Sequence, residues 1–164
     1  MEKTAGPFLA IYLNDHLAGA AAGVGRSRAL AQAHRGRPEE ERLRRLADEI
    51  AADRGALLSI MASLGVPVRH YKSIAVSVAE MAGRLKLNGR LRERSPLTDL
   101  VEYEFLRLAV EGKAAGWRTL LILADRTPEL DAAELEKLHD RAQAQIDLLE
   151  DLRKSAVKDV FIAG

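Results

Sequence analysis

Four long blocks of this chain place apolar residues three and four positions apart, a spacing that builds amphipathic helices packed on one another. In the first block Leu9, Leu13, Leu17, Ala20, Val24 and Ala31 fall in one stripe at about 100° per residue. This predicts helix A from about Pro7 to His34, broken by "HRGRPEEER". Helix B is expected from about Glu39 to Leu64, with Leu43, Leu46, Ile50, Leu57, Met61 and Leu64 on one face and "LGVP" as its stop. Ser95-Pro96 is an N-cap and first-turn pair that opens helix C, from about Pro96 to Asp125. "DRTPELD" is the next turn, and helix D runs from about Leu130 to Lys158. Aromatic residues make up only 4% of the chain, and Ala, Leu, Arg and Glu dominate, so the balance is that of an all-α protein.

The connections decide which bundle this is. Short turns make A antiparallel to B and C antiparallel to D. The stretch between B and C is far longer and is expected to hold one extra short helix, from about Tyr71 to Leu87, ended by Asn88-Gly89. A connection of that length can travel the whole bundle, as four-helix bundles with one crossover require. With 164 residues the chain is expected to be one domain, residues 1–164.

The totals exclude several classes of chemistry. There is no cysteine, so disulfides, thiol catalysis and thiolate metal sites are out. The formal charge of +1 gives no global reason to expect nucleic acid or an anionic membrane as partner. The opening "MEKTAGPFLAIYLNDH" reads as neither a secretory signal nor a spanning helix, and the cytoplasm is the expected compartment. There is no glycine-rich phosphate loop and no Gly-x-Ser-x-Gly.

Two stretches resemble the ferritin-like superfamily in its bacterial branches: "LADEIAADRGALLSIMASLGV" on helix B and "VEYEFLRLAVEGKAAGWRTLLILA" on helix C. "YLNDHLAG" and "GRLKLNGRL" are similar to a bacterial branch that carries no assigned activity. The resemblance implies a ferritin-like bundle with a long crossover. Active members of the superfamily hold two metal ions with a Glu on each of two helices and a Glu-x-x-His on each of the other two. This chain departs from that pattern. Three residues after Glu49 stands Ala52, and the one match, Glu136-Lys-Leu-His139, puts Glu136 about 120° from the apolar stripe of helix D. The di-iron ligand set is therefore degraded.

Single polar residues still suggest chemistry. Asp53 falls among Leu46, Ile50, Leu57 and Leu64, so it points to the core and needs a cation, a metal or several donors. His16 lies at the edge of helix A's stripe and His139 flanks that of helix D, with Glu104 and Glu111 at the edge of helix C. In a ferritin-like topology His16, Asp53, Glu111 and His139 come within about six residues, ~9 Å along the axis. That quartet is the candidate metal site, for iron, manganese or zinc, with Glu49 or Glu104 joining. An oxidase or peroxide-handling role would follow from the resemblance. The competing assignments are plainer. Asp53 meets an Arg of a neighbouring helix, Glu111 pairs with Arg107 at helical spacing, and His16 packs on Tyr12 one turn earlier.

On helix C, Tyr103, Leu106, Val110, Trp117 and Leu121 lie nearly opposite a second apolar stripe of Leu97, Val101, Leu108, Ala115 and Thr119. One stripe faces the core. The other needs cover, from Ile74, Val78, Met81 and Leu85 of the crossover helix or from a second subunit, and a homodimer is expected. The apolar tail "DVFIAG" is expected to dock on the body or on a partner. Gly19, Ala20, Ala22 and Gly23 permit close helix packing or, alternatively, a ligand slot. The basic run from Arg84 to Arg94, with Lys86, Arg90 and Arg92, has no interleaved aromatics and is expected to be a solvated loop; nucleic acid is not an expected partner. The leading expectation is a non-catalytic binding or interaction module without a cofactor; the alternative is the metal protein.

Overall fold

In a computed structural model, which describes residues 6–69 and 94–162, the chain is an all-helical four-helix bundle. The helices are α1 (Pro7–Ala33), α2 (Glu40–Ser63), α3 (Pro96–Ala124) and α4 (Ala132–Phe161). Among the described residues there is no strand. The sequence expectations meet these bounds to within two residues, except that α4 runs on through Asp159, Val160 and Phe161. Ser95 Oγ accepts from the Leu97 N–H at 3.3 Å and caps α3, with Pro96 at its first position. Asp131 Oδ1 accepts from the Glu134 N–H at 3.2 Å and caps α4. The turn between α1 and α2 uses Gly36 at φ +80°, where a Cβ would be strained.

Helix α1 packs on α2, α3 on α4, and α1 also meets α3. Side-chain bonds fix the directions. Tyr12 donates to Thr119 Oγ1 at 3.1 Å and Arg26 to Glu102 at 2.7 Å, so α1 and α3 are antiparallel. Gln145 donates to Glu49 at 3.2 Å and Arg141 to Asp53 at 2.7 Å, so α2 and α4 are antiparallel as well. Asn14, on α1's early turns, holds the chain leaving α2: its Nδ2 donates to Pro67 O at 3.1 Å and its Oδ1 accepts from Arg69 N at 2.6 Å. Arg94 instead pairs with Asp99 and Glu102, beside the far end of α1. Asp99 also faces His34 at the end of α1, 20 positions and about 30 Å along that helix from Asn14, so the two residues that flank the 70–93 connection sit towards opposite ends of the bundle. The extra helix expected from Tyr71 to Leu87, together with its apolar face and Lys86, Arg90 and Arg92, lies outside the described residues.

The core is aliphatic, with Leu13, Leu43, Leu46, Met61, Leu120, Leu135, Leu138 and Leu149 fully buried. Of the two stripes on α3, the core takes Tyr103, Leu106, Val110 and Trp117. Of the other stripe Leu97 and Leu108 are exposed, the latter 62%, as is the neighbouring Ile122, whereas Val101, Ala115 and Thr119 are half-buried. Of the tail, Val160 packs against the core, whereas Phe161 and Ile162 are exposed. No described helix is long and apolar enough to cross a membrane.

A polar cluster ties the start of α3 to the α1–α2 turn. His34 is buried, and its Nδ1 lies 2.9 Å from Leu30 O, which can only accept, so Nδ1 carries the proton. Nε2 then accepts from the Tyr103 hydroxyl at 2.9 Å. Burial and the nearby Asp99 raise the Tyr103 pKa, which keeps that hydroxyl a donor. Burial pushes Asp99 upward, but the Arg94 guanidinium paired with it outweighs that and holds the carboxyl below the usual aspartate range. A folded-state pKa below the unfolded one adds stability above the unfolded pKa, and that stability is lost as pH falls through the folded value. Thermal melts of wild type and Asp99→Asn should therefore differ most at neutral pH and converge in acid; a gap that is constant with pH would refute the assignment.

Candidate functional site

Asp53 is 1% exposed and lies on the core face of α2, one turn beyond Glu49. Its carboxylate collects donors from two other helices. From α4, Arg141 donates to Oδ1 through Nε at 2.7 Å and through a second guanidinium nitrogen, a forked contact on one oxygen. From α3, the Lys113 ammonium reaches Oδ2. Gln145, buried on α4 one turn after Arg141, donates to Asp53 Oδ2 at 3.3 Å and to Glu49 at 3.2 Å, and its Oε1 accepts from Lys113. Glu49 also pairs with the exposed Arg45 at 3.2 Å. Burial drives the Lys113 pKa down, against the pull of Asp53, because the ammonium is largely removed from water. A carboxylate with two cations is a charge cluster stitched across three helices.

Beside this cluster a cavity of about 200 Å³ opens among α1, α2 and α3. Leu13, Ile50, Leu57, Leu106, Val110 and Leu120 form its apolar walls, and Asp53, Arg54, Lys113, His16, Tyr12 and Trp117 bring polar atoms to it. Gly19, Ala109 and Gly112 also line it and are exposed, so they mark its mouth. A Cβ added at Gly19 or Gly112 would meet nothing within 4 Å. Two glycines on facing helices leave the room that larger side chains would fill. Of the glycines expected to allow close helix packing within the fold or across a dimer, Gly23 lies against Ile50 of α2, with 3.8 Å to a Cβ placed there, whereas Gly19 borders open space among the described residues.

His16 shows how tightly part of the wall is built. Its ring meets the Tyr12 ring edge-on, with centroids 4.5 Å apart. Its Cε1 would lie 3.0 Å from a Cβ placed on Gly116, so a larger residue there would require the imidazole to give way by a few tenths of an ångström. Burial lowers the His16 pKa against the raising effect of Asp15, and the ring is neutral at pH 7. The indole Nε1–H of Trp117 is buried with no hydrogen-bond partner among the described residues, and so is Arg54 Nε–H. Both groups can only donate.

The four residues expected to bind metal do not converge. His16 and Asp53 both line the cavity, but Glu111 pairs with Arg107 at 3.5 Å on the outer side of α3, and His139 has Asp140 and Gln143 of its own helix as neighbours. Glu104 faces Arg153 at 3.8 Å, and Glu136 is exposed. Among the described residues no group of three or more His, Asp and Glu side chains is placed to hold a metal ion. The donor set also disagrees chemically with a metal centre. Both Asp53 oxygens face cationic donors, and Lys113 and Arg141 would repel a dication.

Lys113, Gln145, Arg141 and Arg54 had not been singled out from the sequence, although a signal existed. Lys113 sits in the interval run Tyr103, Leu106, Val110, Lys113, Trp117, Leu120, and Gln145 in the run Leu138, Ala142, Gln145, Leu149, Leu152. These are core positions of a 3-4 repeat occupied by polar side chains. Removing one partner from a buried ion pair leaves the others uncompensated. Asp53→Asn should cost about 3 kcal/mol, at the low end because Arg141 is partly exposed and screened. A triple variant, Asp53→Leu with Lys113→Met and Arg141→Met, should recover most of that loss in urea unfolding; a triple variant weaker than the single one would contradict the account.

No protein-family model, curated protein sequence or solved structure matches this chain, so its function is argued from the Asp53 cluster and the cavity beside it.

Proposed function

We propose that this chain is a non-catalytic binding module of ferritin-like topology, in which the bundle core takes a small organic ligand and not a pair of metal ions. The observation that carries this reading is the cavity of about 200 Å³, whose lining includes Trp117, a residue with a buried indole N–H that has no acceptor among the described residues. A pocket with apolar walls and a few convergent polar groups is the usual form of a small-molecule site. The topology is supported by four antiparallel neighbour pairs and by a connection whose flanks, Arg69 and Arg94, sit at opposite ends of the bundle. Among the described residues that line the cavity there is no Ser, Thr or Cys, which favours binding over acyl transfer through a hydroxyl or thiol nucleophile. The degraded ligand set belongs to the same reading, since Lys113 and Arg141 supply the positive charge that Asp53 requires.

Trp117 is the only tryptophan, so a ¹⁵N-labelled sample gives one indole N–H resonance, and it reports directly on the cavity. Titration with benzyl alcohol, a neutral ring-sized probe, should move that resonance in a saturable way. A resonance that stays fixed up to the solubility of the probe would remove the cavity reading. Loading with Fe(II), Mn(II) or Zn(II) followed by desalting should leave only substoichiometric metal. Stoichiometric metal held by wild type and lost in Asp53→Ala would favour the metal protein, with its oxidase or peroxide chemistry.

We further assign the open stripe of α3, with Leu97, Phe105, Leu108 and Ile122, to contact with a second copy of the chain. Light scattering at micromolar concentration should give a dimer, and Leu108→Glu should shift it to monomer. A wild-type monomer would end this assignment.

A further inference from the structure

The geometry points to a small monocarboxylate with a compact apolar body as the ligand of the cavity between α1, α2 and α3. This rests on the reading of that cavity as a binding site and names the chemistry the site selects. Three residues that line the cavity carry donors without a full set of acceptors among the described residues. Trp117 Nε1–H and Arg54 Nε–H have no partner among the described residues. The Lys113 ammonium has three N–H groups, and Asp53 and Gln145 take two of them. Lys113 and Trp117 are four residues apart on α3, so their side chains lie on the same face of the helix. A buried donor left unpaired is costly, and a ligand that offers only acceptors relieves all three at once.

Charge selects an anion over a neutral acceptor. Asp53, Arg54 and Lys113 line the cavity, one negative group against two positive, and Arg141 adds another positive charge at Asp53 from the side of α4. Glu49 gives little relief, because its partners are Gln145 and the exposed Arg45. The downward pull of burial on Lys113 has the same origin, an ammonium whose compensation is incomplete. A carboxylate placed among Lys113, Arg54 and Trp117 completes it. His16, neutral and fixed between Tyr12 and Gly116, adds a ring nitrogen to the wall but no charge.

Size and shape limit the rest of the molecule. A dry cavity of about 150 Å³ lined by aliphatic side chains admits benzene. One of about 200 Å³ takes a ring or a short alkyl chain together with a carboxylate. Leu13, Ile50, Leu57 and Leu106 offer only apolar contact to that body. The mouth at Gly19, Ala109 and Gly112 carries no polar side chain to hold a second headgroup, which argues against dicarboxylates and phosphorylated ligands.

The test compares benzoate with benzyl alcohol, which share the ring and differ in charge, by the Trp117 indole resonance and by calorimetry. Benzoate is expected to bind on the order of tenfold tighter, the worth of a hydrogen bond to a charged group. Arg54→Gln should reduce benzoate affinity by a similar factor and leave benzyl alcohol unchanged. Gly19→Leu fills open space at the mouth and improves helix propensity, so it should fold and abolish binding of both probes. Equal affinity for the two probes would overturn the carboxylate assignment while the cavity reading stands. No response to either probe would overturn both. Binding of benzoate that survives Gly19→Leu and leaves the indole resonance unmoved would place the anion elsewhere and overturn the assignment as well.

Discussion

A carboxylate that is 1% exposed must meet positive charge or lose its own, and in this bundle Asp53 meets charge from two other helices. The forked Arg141 contact and the Lys113 ammonium determine how α3 and α4 sit against α2. A sliding of α4 by one turn along α2 would leave two cations and an anion buried apart, a penalty several times that of an ordinary core mismatch. Hydrophobic packing between Leu-rich helices tolerates many registers; a charged cluster tolerates one. The position of the cavity follows, because Asp53, Arg54 and Lys113 lie in its wall.

Much of the fold was legible because long periodic helices with clear stops are the strongest signal a sequence carries. Ser95-Pro96 and the glycines at 36 and 65 mark the ends where caps and left-handed turns are found. The site was only half legible. Asp53 is an acid set in an otherwise aliphatic stripe, and nothing but a buried partner explains such a residue. Its partners were hidden by the flexibility of long basic side chains. A lysine at a core position of a helix is ordinarily read as reaching out to water, with its methylenes packed and its charge solvated. Lys113 does the reverse and brings its ammonium inward to Asp53 and Gln145. Gln145 was overlooked for the opposite reason, since a lone uncharged amide in a stripe of leucines attracts no electrostatic attention. Helical angle gives direction but not reach, so the partner that each polar side chain takes was not legible. Glu111 has Arg107 one turn away, and that nearer partner wins.

Two cations borne on the protein itself, one on α3 and one on α4, compensate an acid on α2. The arrangement gives the bundle a polar core, and a polar core is directional. The same directionality equips the adjoining cavity with oriented donors that a purely aliphatic bundle would lack.

The bonds that join the α1–α2 pair to the α3–α4 pair connect residues far apart in the chain: 60 positions for Lys113 to Asp53, 88 for Arg141 to Asp53 and 107 for Tyr12 to Thr119. Contacts within each hairpin are short-range and close small loops, whereas these close large ones at a higher entropic cost. Each hairpin therefore has the means to form early, with Asp53 on one and Lys113 and Arg141 on the other still solvated and hence unstrained. Desolvation of the charges comes only when the halves meet. Until then, opposite charge on the two unjoined faces draws them together and keeps either half from pairing with a copy of itself, so the interaction that fixes the register also selects the partner during assembly.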